Sequence, residues 1–141
     1  MPLTLPNKQA NQYTPSRQLV SGDDINNIVA QLNSSEVGIT AKAGGGQALA
    51  YQLKAACNIV SVVATANDSV KLPKGINGLE VWVRNADAAD SMQVFTYGTG
   101  TINGTDGVAT GVAQAAAPNG GTVYKCLNVN AQTGAETWIT K

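Results

Sequence analysis

From residue 36 onward the chain is cut, at a spacing of about ten residues, by clusters that bend a backbone. They read "AGGGQ", "TAND", "PKGING", "NADAAD", "GTGTINGTDG", "APNGG" and "AQTGAE". Their residues tolerate positive φ or close Asx turns. The apolar runs between them are too short for stable helices and suit strands. Strands are expected near 37–42, 47–54, 57–65, 68–72, 78–85, 91–97, 107–116, 121–130 and 135–140. Many short strands separated by uneven turns predict an all-β fold, an antiparallel β-sandwich or jelly roll. No internal repeat of period 20–50 is evident.

The first 35 residues have another character. Pro2, Pro6 and Pro15 forbid ladder pairing at their own positions and bias the residues before them to extended conformations. Residues 1–20 therefore read as an arm that gains order only by lying on something else. In "SGDDINNIVAQLNSS", Ser21 is a good N-cap, and Asp23 and Asp24 sit in the first turn, where the helix dipole favours acids. Ile25, Ile28, Val29 and Leu32 recur at i, i+3, i+4 and i+7, so a short helix over 21–33 presents one narrow apolar stripe. The chain is thus expected to have two parts: residues 1–35, arm and helix, and residues 36–141, a jelly-roll-like β domain.

Chemistry is sparse. The 141 residues include no histidine, which removes Ser-His-Asp and Cys-His arrangements and every imidazole metal site. No phosphate-cradling glycine motif occurs. Asp87, Asp90 and Asp106 lie in oxygen-rich loops whose spacing matches no calcium motif, so they read as turn residues. No enzyme activity, cofactor or metal is expected. Nine Lys and Arg balance nine Asp and Glu, and the cations are scattered, which argues against a nucleic-acid partner. No window approaches a membrane span and the N-terminus lacks an apolar signal core, so synthesis in the cytoplasm without a membrane partner is expected. Cys57 and Cys126 stand in apolar text and read as two buried reduced thiols, with a bridge between strands as the alternative.

One stretch breaks the simple pattern. In "GLEVWVRN" Leu79, Val81 and Val83 share one face of a strand, while Glu80, Trp82 and Arg84 share the other. A solvated face rarely needs an indole. Either the domain's own second sheet or helix covers Trp82, or it anchors a protein contact with Arg84 beside it. In the second reading Phe95 and Tyr97 on the next strand join the anchor, Tyr13 is the arm's aromatic, and an edge strand here extends into a neighbouring subunit.

The text from Thr65 to Gly104 resembles a known group. Thr65, Asp68, Ser69, Val70, Leu72 and Pro73, then Gly78, Leu79, Val81, Val83 and Asn85, then Val94, Phe95, Gly98, Ile102, Asn103 and Gly104 form a pattern similar to small virion proteins of tailed bacteriophages. It most resembles their capsid decoration, or cement, proteins of jelly-roll type. The closing "YKCLNVNAQTGAETWIT" is also similar. The resemblance implies a homo-oligomer, dimer favoured and trimer possible, that sits on the outside of a phage head and clamps the major capsid protein. Tyr13, Ile25, Ile28, Val29, Leu32, Trp82, Arg84 and Tyr97 are the candidate interface residues. The alternative is a tail-fibre or baseplate domain that stacks a host glycan on Trp82 or Trp138.

Overall fold

The computed structural model describes residues 34–44, 46–118 and 120–141. The chain divides into residues 1–31 and 32–141, and everything that follows belongs to the second unit. The arm at 1–20 and the helix at 21–33 lie outside the described residues.

Among the described residues, eleven strands and one short helix follow in order. They are β1 (Ser35–Thr40), α1 (Gly46–Leu49), β2 (Tyr51–Gln52), β3 (Cys57–Val62), β4 (Ser69–Lys71), β5 (Glu80–Asn85) and β6 (Met92–Phe95). After these come β7 (Gly100–Ile102), β8 (Thr105–Asp106), β9 (Val112–Gln114), β10 (Thr122–Val129) and β11 (Glu136–Thr140). Seven form one sheet in the order β1-β3-β5-β10-β11-β7-β8, and four form another in the order β2-β4-β6-β9.

The β-rich class holds, but the sheets are mixed rather than antiparallel. β1 pairs parallel with β3, β3 with β5, β2 with β4, β4 with β6, and β11 with β7. The first six strands alternate strictly between the two sheets. The chain therefore winds as a coil: Cys57 aligns with Ser35, 22 residues earlier, and Trp82 aligns with Cys57, 25 residues earlier. Parallel neighbours require a long crossover, and here a strand of the opposite sheet fills the place a helix usually takes. The antiparallel β9, β10 and β11 close the coil.

Two further differences are local. Residues 47–54, expected as a strand, instead give α1 and the two-residue β2. The side chain of Gln47 donates through Nε2 to the carbonyls of Thr96 and Gly98 at 2.9 and 2.8 Å, a tertiary tie that holds the segment as a helical turn. "GTGTINGTDG", expected as a loop, contains the β7–β8 hairpin. Asn103 and Gly104 both adopt positive φ, 53° and 79°, and form the two-residue connection that Asn-Gly favours.

The core draws on both sheets. Val60, Val81, Val83, Tyr124 and Trp138 come from the larger sheet, and Val70, Met92 and Val94 from the smaller. One polar chain crosses it. The Tyr124 hydroxyl donates to Gln114 Oε1 at 3.2 Å, and Gln114 Nε2 donates to the Val83 carbonyl at 2.7 Å, joining β10, β9 and β5. Burial pushes the Tyr124 phenol well above its ordinary pKa. The unfolded chain ionises near pH 10, so this contribution to stability is complete below that value and falls as pH rises past it. The unfolding free energy measured in urea is expected to drop above about pH 10, by up to ~1.4 kcal/mol per pH unit. Tyr124→Phe should flatten that slope, while losing about 1 kcal/mol at neutral pH for the hydrogen bond. An unchanged slope in the variant would assign the alkaline loss to another group.

Candidate functional site

β5 is where the expected alternation meets the structure. Its burial runs out, in, out, in: Val81 and Val83 are buried, while Trp82 and Arg84 are half-buried on the outer face. β5 lies between β3 and β10, in the middle of the larger sheet. The expectation that an edge strand at Trp82 extends into a neighbour is therefore corrected. The true edges are blunted by other means. β1 carries a bulge at Gly38, where φ is +80°, and β8 and β2 are two residues long.

Register places the neighbours of Trp82. Across the outer face, Cys57 of β3 lies on one side and Val123 of β10 on the other. One step along, Val37, Ile59 and Arg84 form a second row. On the other flank Glu80 aligns with Lys125, and Lys125 with Ile139. Val37 is 67% exposed. The indole lies over Gly121, where φ is +81° and an added Cβ would come within 2.6 Å of the ring. No side chain fits at that position, so glycine sets where the ring rests.

The charges on this face are unevenly served. Lys141 and Lys125 approach Glu80 Oε1 at 2.6 and 3.4 Å, and their hydrogen bonds and charges hold the Glu80 carboxyl below its ordinary range. Arg84 takes part in no ion pair among the described residues, and its Nε is sealed from solvent with no acceptor. Around Trp82, over β1, β3, β5, β10 and β11, the face thus carries three cations against one carboxylate; Asp106, in the row of Thr137 and Thr101, adds a second at the β8 edge.

The other expected residues fall elsewhere. Tyr97 is exposed but follows β6 of the smaller sheet, and Phe95 is buried within β6, so neither joins Trp82. The coil puts sequence-adjacent strands in opposite sheets, which separates them. Tyr13, Ile25, Ile28, Val29 and Leu32 lie outside the described residues. Trp138 is fully buried and donates through Nε1 to Glu136 Oε2 at 2.9 Å, which removes it as a stacking platform for a glycan. Cys126 is buried, but Cys57 is exposed; both are free thiols. The expectation of two buried cysteines fails at Cys57 because Asn58 takes the inward place. Its side chain bonds the Ala55 carbonyl at 2.8 Å, which turns Cys57 outward.

The aspartates are occupied by turns. Asp87 accepts backbone N–H groups of Ala89, Asp90 and Val63, and Asp106 those of Val108 and Ala109. These bonds hold both carboxyls below the usual aspartate range. Among the described residues no group of three His, Cys, Asp or Glu is placed to hold a metal ion, and no helix is long and apolar enough to cross a membrane. A cavity of about 230 Å³, which the sequence did not signal, opens beside β9. It is lined by Val112, Gln114, Thr122, Tyr124 and Thr140, with no charged side chain.

The residues between Thr65 and Gly104 on which the resemblance rests include turn and core residues of this fold. Asp68 accepts from the N–H groups of Ala64 and Thr65 and from the Thr65 hydroxyl. Asn85 fixes the next turn through Asp87 N and the Asp90 carbonyl. Val70, Leu72, Val81, Val83, Val94 and Ile102 are buried. No protein-family model, curated protein or solved structure matches the chain.

Proposed function

We propose that the protein is a virion structural component, a capsid decoration protein that binds the outside of a phage head and stabilises contacts between major capsid protein subunits. The observation that carries this reading is the outer face of the seven-stranded sheet. It holds apolar side chains and a tryptophan that the described domain leaves half-exposed, beside an arginine with no ion-pair partner among the described residues. Buried aromatics flanked by Arg are what protein interfaces favour at their centres. The pattern at residues 65–104 points to the same class. The expected site of action is the virion surface, with the chain itself, as a dimer or trimer, as the second partner.

A fibre or baseplate domain binding a host glycan is the second reading. Trp82 alone now supports it, since Trp138 is buried.

Co-sedimentation of the full chain with expanded phage heads that lack a decoration protein separates the two. Saturable binding to heads is expected, and removal of residues 1–20 is expected to weaken it. Association with tails and not with heads would give the case to the second reading, and unchanged binding after truncation would remove the arm from the contact.

A further inference from the structure

We infer that the protein docks through the outer face of its seven-stranded sheet, centred on Trp82, and that this face takes a protein surface with an apolar centre and carboxylates around it. The inference rests on the head-binding reading and names the surface that would do the binding. Parallel strand pairs are normally covered on both faces, yet among the described residues β1, β3 and β5 are covered on one face, by the smaller sheet, and no strand or helix lies over the other. On the other, Val37, Ile59, Trp82, Val123 and Ile139 make an apolar band over five adjacent strands. At the usual strand spacing that band is about 19 Å wide. The sheet's edges are bulged or short, so the face and not an edge is what a partner can use.

Charge selects the partner. Around Trp82, over β1, β3, β5, β10 and β11, three cations stand against the one carboxylate of Glu80, while Asp106 on the edge strand β8 is tied to the backbone N–H groups of Val108 and Ala109. Glu80 already occupies two of the cations, whereas Arg84 has none of the described carboxylates within ion-pair distance. A guanidinium next to an indole in an apolar setting gains most from a carboxylate delivered by the partner. A second copy of this face would oppose cations to cations, which disfavours it as the occupant. Nucleic acid would need a longer basic track than one uncommitted arginine.

Cys57 reports on the face directly. Its thiol is exposed and is the register neighbour of Trp82, whereas burial and the nearby Glu136 push the Cys126 thiol up and slow its reaction. The experiment is maleimide labelling of the full chain at Cys57, read by peptide mass, alone and with expanded heads. With heads at about ten times Kd, labelling should slow about tenfold, to the unbound fraction. Arg84→Glu should weaken head binding by at least about tenfold, with its circular dichroism unchanged. Salt should weaken wild-type binding more than it weakens the variant's. Saturable head binding with unchanged labelling would overturn this surface while leaving the head-binding reading intact. Absence of head binding would overturn both. Protection without heads would also overturn the inference: if it grows with protein concentration the occupant is a second copy, and if it is constant the chain covers the face itself.

Discussion

Trp138→Ala is expected to destabilise the domain by about 3–5 kcal/mol, the range for deleting a fully buried tryptophan. Trp138 is 0% exposed and sits in β11, opposite Cys126. Its indole also satisfies one oxygen of the buried Glu136, whose other oxygen accepts the Gly75 N–H at 2.7 Å. The truncation therefore opens a cavity and strips a buried acceptor of its donor, and the two losses act in the same direction. A domain of ordinary stability, about 5–15 kcal/mol, would lose about a fifth of it or more. Trp82→Ala makes the comparison. That indole is half-buried on the outer face, so its removal should cost only about 1 kcal/mol of stability, while the proposed docking face predicts a larger loss in head binding. Urea midpoints at constant m measure both. Equal losses in the two variants would mean that the two rings do not divide into core and surface.

Gly100→Ala is expected to be nearly as damaging, for a reason of backbone geometry. Gly100 begins β7 and pairs with Glu136 of β11 at a φ of +155°. An added Cβ would lie 2.2 Å from the Glu136 carbonyl oxygen and 2.8 Å from its nitrogen. A backbone cannot step aside as a flexible side chain can, so β7 must leave its place beside β11. A loss of about 3 kcal/mol or more is expected, combining overpacking with a strained φ. Gly104→Ala is the control. It also has positive φ, +79°, but its Cβ would meet nothing within 4 Å, so it should cost only the conformational strain of about 1–2 kcal/mol. Comparable losses at the two positions would show that the close approach of β7 and β11 contributes nothing.

What could be read in the sequence follows from what each signal encodes. Period-two alternation encodes the face, and in β5 it placed Val81 and Val83 inside and Trp82 and Arg84 outside, as found. Turn clusters encode where a chain leaves a sheet, and not which strand it meets next. A spacing of about ten residues suits a hairpin, which returns to the same sheet, and equally a coil, which crosses to the other. The parallel pairing of β1, β3 and β5 was illegible for that reason, and so was the separation of Tyr97 from Trp82. No repeat announced the coil either, because its aligned positions hold unlike residues: Ser35, Cys57 and Trp82 in one row, and Val37, Ile59 and Arg84 in the next. The β7–β8 hairpin did have a signal, Asn103-Gly104, set among so many turn residues that it read as loop. Cys57 was misplaced because Asn58, a polar residue at an inward position, reverses the expected phase.

The most direct measurement is a cryo-electron microscopy reconstruction of expanded heads saturated with the full chain. A decoration protein docked through the Trp82 face should appear as ordered density on the head exterior, with the seven-stranded sheet's outer face turned to the shell. Heads without added density would contradict the virion role, and density joined to the shell through another surface of the β domain would contradict the docking face.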